Sequence, residues 1–86
     1  MTSPRIRFTQ HALLKFQVLK DHGLDLDSKK VEETVQRPMR VIEGYRSRWI
    51  AQSELDADRV LLVVYEESGS ELIIITFYPG KKARYA

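Results

Sequence analysis

A histidine in the first turn of a helix meets backbone amides that have no partner in the helix and favour an anion. His11 stands in such a place if Thr9 caps a helix that begins at Gln10, and Lys15 follows four residues later on the same face. A phosphodiester bound there would meet a cation and an imidazole able to take or give a proton near neutral pH. Arginine grips phosphate oxygens with two parallel hydrogen bonds, and Arg46, Arg48 and Arg84 offer that grip. Base, acid and charge stabiliser are what cleavage of RNA through its own 2′-hydroxyl requires. Lys81 and Lys82 add charge near the C-terminus, and Tyr78 and Tyr85 are rings that stack on bases or pack against a sheet.

Each residue also has a plain structural reading. His11 can be an ordinary polar residue of a first turn, and His22, just before Gly23, suits a helix C-terminus. Arg46 and Arg48 flank a tight turn, where charge is common, and Lys81-Lys82-Ala83-Arg84 can be a solvated tail. Trp49 can fill a core rather than stack on a base.

Composition narrows the chemistry. The chain has 86 residues, 43% of them apolar, enough for one domain with a core. It has no cysteine, so disulfides, a thiolate nucleophile and a cysteine zinc site are excluded. Its two histidines are eleven residues apart, and neither has a partner at i+3 or i+4 that would complete a metal site. There is no glycine-rich phosphate loop and no recognisable Ser-His-Asp spacing, so no metal and no cofactor are expected. Fourteen Lys and Arg against twelve Asp and Glu give a net charge of +2, a weak field whose distribution matters more than its size. The longest apolar run is Val60–Tyr65, too short to span a membrane, and the first ten residues contain no secretory h-region. A cytoplasmic protein with no membrane partner is expected.

The elements that must position these residues follow from pattern. A first helix is expected over Gln10–Asp21, with Ala12, Phe16 and Leu19 on one stripe widened by Leu13. Leu14 and Val18 extend its apolar surface, which implies burial on more than one side, and Gly23 ends it. A second helix over Ser28–Gln36 has Asp27 as cap, Leu26 and Val31 as a hydrophobic staple, and Arg37-Pro38 as stop. Four strands follow: Arg40–Tyr45, Arg48–Ser53, Val60–Glu66 and Leu72–Tyr78, the last ended by Pro79-Gly80. Short loops make them antiparallel. The expected fold is α+β, order α-α-β-β-β-β, a single domain over 1–86 with two helices on one face of a four-stranded antiparallel sheet. Period-2 alternation turns Ile73, Ile75 and Phe77 to the core and Ile74, Thr76 and Tyr78 to the open face, which Arg48, Ile50 and Gln52 share.

Thr9-Gln10-His11-Ala12, the Gly23-Leu24 break and the Pro38 stop, with Val63-Val64-Tyr65, Ile75-Thr76-Phe77-Tyr78-Pro79 and Arg84-Tyr85, resemble a family of small prokaryotic domains. That family is similar to the RelE/ParE and BrnT toxins of toxin–antitoxin modules, the barnase–EndoU–colicin–RelE fold. The resemblance covers nearly the whole chain. It implies a metal-free ribonuclease held inactive by an antitoxin protein. It also implies roles: His11 for acid–base chemistry, Arg48 and Arg84 on phosphate, and Thr76 and Tyr78 along the open sheet face. Two rival readings remain. One is a non-enzymatic interaction module whose open face, with Ile50 and Ile74 exposed, binds another protein or a second copy. The other is a passive nucleic-acid binder using Lys81, Lys82 and Arg84.

Overall fold

The computed structural model describes residues 4–85. Its elements run β1 (Arg5–Phe8), α1 (Gln10–Asp21), α2 (Ser28–Gln36), β2 (Arg40–Glu43), β3 (Trp49–Glu54), β4 (Arg59–Ser68), β5 (Glu71–Lys81) and α3 (Lys82–Tyr85). A tight turn, Tyr45–Ser47, joins β2 to β3. The strands form one five-stranded sheet in the order β1-β5-β4-β3-β2. β2 to β5 pair antiparallel, whereas β1 runs parallel to β5, with Arg5 opposite Glu71 and Phe8 opposite Ile74. The expected four-stranded antiparallel sheet is therefore corrected to a five-stranded mixed one. Arg5-Ile6-Arg7-Phe8 alternates as a strand should, but four residues is a short signal. Its partner lies at the other end of the chain, where no local turn announces the pairing.

α1 starts where expected because the Thr9 hydroxyl accepts from the Ala12 amide at 3.1 Å. It stops where Gly23 takes φ 92, and the Leu24 amide donates back to the Leu19 carbonyl at 2.8 Å. The His22 ring donates through Nδ1 to the Val18 carbonyl at 2.8 Å, a helix-end contact that accounts for this histidine structurally. Ala12 is fully buried and Phe16 and Leu19 pack against the core, but Leu13, Leu14 and Val18 are exposed. The expected burial on more than one side does not occur. α1 lies on β5 and β1, and no element among the described residues covers its outer side. α2 is capped by the Asp27 carboxylate, which accepts from the Lys29 amide at 3.0 Å, and it buries Val31, Thr34 and Val35 against β3 and β4. Thr34 donates its one hydroxyl proton to the Lys30 carbonyl at 2.8 Å, so Ser53 donates to Thr34 across 2.7 Å.

β4 and β5 are longer than the pattern implies and are joined by a tight turn in which Gly69 takes φ 59. β5 continues through Pro79-Gly80 rather than ending there. β1 covers it only as far as Ile74, so Pro79 lies where β5 is an edge and a missing N–H is tolerated. A bulge breaks the alternation of β5: Tyr65 opposes Ile74 and Val64 opposes Thr76, which leaves Ile75 without a partner. Ile74 and Phe77, three residues apart, therefore both enter the core and are fully buried, while Ile73 and Ile75 are only partly covered. The expected inward set Ile73, Ile75, Phe77 is right only for Phe77.

Candidate functional site

The register defines the sheet face that the two longer helices leave uncovered. Trp49, Ala51 and Ser53 oppose Tyr65, Val63 and Leu61 on the helix side, and Trp49 packs there against the core. Arg48, Ile50 and Gln52 therefore point the other way, with Val64 and Thr76 in line with Ile50, and Leu62 and Tyr78 in line with Gln52. The expected grouping of Arg48, Thr76 and Tyr78 on one face is what the strands produce. Ile74, expected beside them, is in the core, and Ile50 is half-buried.

This face is neither bare nor purely basic. Arg48 Nε donates to Glu66 Oε1 at 3.0 Å, both side chains half-exposed. At the neighbouring edge Arg7 Nε lies 3.7 Å from Glu71 Oε2. The opposite end is covered by α3, which folds back across the sheet. The Tyr85 ring lies against Gly80 so closely that a Cβ there would collide with it and would also press on Leu62. Val60 and Leu62 are buried, though they point away from α1 and α2. The Tyr85 carbonyl accepts from Arg40 Nη1 at 3.2 Å and from Gln52 Nε2 at 3.3 Å. Lys82 donates its amide to the Asp58 carbonyl at 2.9 Å and holds Glu54 with its ammonium at 3.5 Å. A cleft of about 170 Å³ remains beside Tyr85, lined by Met39, Gln52, Glu54, Val60 and Lys82. Burial, reinforced by the neighbouring Tyr85, pushes the Tyr78 hydroxyl above the ordinary phenol range. At neutral pH Tyr78 is therefore a hydrogen-bond donor and not a base.

The other expected site residues are scattered. His11 is exposed in the first turn of α1 and forms no hydrogen bond or ion pair among the described residues. Its neighbour Thr9 nevertheless ties that turn to the bulge: the Thr9 amide donates to the Ile74 carbonyl at 3.0 Å and its hydroxyl to the Ile75 carbonyl at 3.2 Å, directly before Thr76. Lys15 is half-buried one turn on. Arg46 is at the β2–β3 hairpin tip, with its guanidinium 5.4 Å from the Tyr45 ring centroid. Lys81 and Arg84 are exposed at the C-terminal end, whereas Lys82 and Tyr85 are held as above. The tail is thus a docked helix rather than a solvated run. Sequence reasoning missed Glu66, Arg40 and Tyr45. For Glu66 the usable signal was parity, because it stands one residue beyond the core-facing Tyr65 and so turns to the face of Arg48. Among the described residues no group of three or more His, Asp or Glu comes together to hold a metal ion. Among the described residues no helix is long and apolar enough to cross a membrane.

No protein-family model and no curated protein matches the chain. Among solved structures, the solution structure of the conserved hypothetical protein HP0894 from Helicobacter pylori is similar, with a TM-score of 0.55 and 20% identity, covering 88% of this chain and 93% of that one. At that identity the likeness is one of fold.

Proposed function

We propose that this protein is a toxin-type, metal-independent ribonuclease of the cytoplasm, restrained by an antitoxin protein, whose RNA lies along the sheet face that carries Arg48, Thr76 and Tyr78. The observation that supports the reading most is that these three residues, from the residue before β3 and from β5, share one face of the sheet. The Thr9 link adds to it by tying the first turn of α1, and so His11, to the strand segment that carries Thr76.

In the proposed reaction Arg48 holds a neighbouring phosphate of the bound strand. The His11 imidazole takes the 2′-hydroxyl proton as O2′ bonds to phosphorus, which requires the RNA to round the open edge of β5 beyond Ile74, because α1 lies on the other side of the sheet. The P–O5′ bond breaks, and the leaving oxygen takes a proton from Tyr78, leaving a 2′,3′-cyclic phosphate and a 5′-hydroxyl. The test is cleavage of a mixed labelled RNA pool in EDTA. Wild type is expected to cleave, and His11→Ala and Arg48→Ala to lose cleavage while unfolding at the wild-type temperature. Undiminished cleavage by His11→Ala would remove the acid–base role assigned to it.

A second reading, a protein-interaction module, is favoured by one observation. The edge strand β2 is exposed along its whole length, with Val41 and Ile42 about two-fifths exposed and Met39 before it more so. A concentration-independent monomer mass by light scattering would count against self-association through that edge.

A further inference from the structure

We infer that the β2–β3 hairpin tip is a stacking site for an unpaired nucleobase, with Tyr45 as the platform and Arg46 as its cationic flank. The inference rests on the RNA reading above and adds to it a second contact point, outside the face that carries Arg48, Thr76 and Tyr78.

Three observations carry it. Tyr45 is 81% exposed, so no packing into the core among the described residues accounts for its ring. Its neighbour is charged: the Arg46 guanidinium sits over the ring, 5.4 Å from the centroid, which leaves the ring's other side for a flat partner. The backbone holds the pair in a conformation that this sequence does not favour. Arg46 and Ser47 take φ 59 and φ 62 in succession, the Arg48 amide bonds back to the Tyr45 carbonyl at 3.4 Å, and the Gly44 amide bonds to the Arg48 carbonyl at 2.7 Å. Two consecutive left-handed residues are the demand of a tight hairpin turn, which Asn-Gly meets without strain and which Arg-Ser meets only against the Cβ–carbonyl clash. The tip keeps two side chains where glycine would be easier, as strained functional loops do.

The tip also lies next to the face in question. Arg48 follows it immediately and turns onto the sheet beside Glu66. A strand of RNA whose phosphate is held by Arg48 has its next unpaired base within reach of Tyr45. An exposed tyrosine with an arginine beside it offers every base a π-face and its phosphate a cation, the combination used for sequence-tolerant binding of single strands.

The experiment uses a labelled 2′-O-methyl octaribonucleotide, which cannot be cleaved through its own sugar, read by fluorescence anisotropy over a salt series. Tyr45→Ala is expected to weaken binding about tenfold, within the range alanine substitution gives for one stacked base. Its salt dependence should not change, because no phosphate contact is lost. Tyr45→Phe should bind within twofold of wild type, since the ring is retained. Arg48→Ala should weaken binding and flatten the salt dependence by about one charge. All variants are exposed or half-exposed positions, and equal unfolding temperatures would show that the fold is kept. Wild-type affinity in Tyr45→Ala, with loss in Arg48→Ala, would overturn the stacking site and leave the RNA reading in place. Equal losses in Tyr45→Ala and Tyr45→Phe would overturn it too, because the hydroxyl and not the ring would then be the contact. No binding by wild type would overturn the RNA reading, and the stacking site with it.

Discussion

Replacing Thr9 by valine should loosen the joint between α1 and the β5 bulge without changing side-chain shape. The Thr9 hydroxyl accepts from the Ala12 amide at 3.1 Å and donates to the Ile75 carbonyl at 3.2 Å. The first bond is an N-cap, whose loss costs about 1 kcal/mol. The second is a partly buried hydrogen bond worth roughly 0.5–1.5 kcal/mol. Together they set an expected loss of about 1.5–2.5 kcal/mol. For a domain of this size that lowers the unfolding midpoint by roughly 6–20 °C. Serine keeps both bonds and should lose less than about 0.5 kcal/mol. Urea unfolding followed by circular dichroism gives both numbers. A Thr9→Val loss under about 0.5 kcal/mol, or a Thr9→Ser loss as large as that of valine, would refute the argument that the hydroxyl pins the helix to the bulge. The same pair bears on the proposed chemistry. At a temperature where both variants are folded, Thr9→Val should lose RNA cleavage more than Thr9→Ser, because the turn carrying His11 is no longer tied to the strand carrying Thr76.

Two further outcomes follow from other contacts. The Arg59 guanidinium, 2.7 Å away, and the Asp58 and Arg59 amides hold the Asp56 carboxyl below the usual carboxylate range. Because the folded value is the lower one, its contribution is present at neutral pH and lost as pH falls below about 4. Asp56→Asn should therefore differ from wild type in unfolding midpoint at pH 7, and the difference should shrink at pH 3. At Gly80 a methyl group would strike the Tyr85 ring, so Gly80→Ala should release α3. Faster tryptic cutting after Lys82 and Arg84, with β-sheet circular dichroism unchanged, is the expected result; wild-type cutting rates would mean that α3 is not held by that ring.

The sequence was enough for everything that depends on near neighbours. Thr9 and Asp27 cap the helices because their side chains reach amides two or three residues away. Gly23 ends α1 because its own backbone takes a left-handed turn. The face shared by Arg48, Thr76 and Tyr78 was legible because no irregularity separates Arg48 from Gln52 or Thr76 from Tyr78.

What the sequence did not determine are the choices made by distant partners. β1 is a strand because the outer edge of β5 accepts it, in parallel, at the far end of the chain. The bulge at Ile75 shifts the alternation by one residue, so Ile74 joins Phe77 in the core, and period-2 counting has no means of sensing an unpaired residue. Leu14 and Val18 look like core residues by type, and they are exposed because no element among the described residues lies over that side of α1. The C-terminal residues read as a solvated basic tail until the sheet offers Tyr85 a seat at Gly80 and its carbonyl two donors, Arg40 and Gln52. Hydrogen bonding to neighbours a few residues away is written into local sequence. Pairing, covering and docking are settled only when remote segments meet.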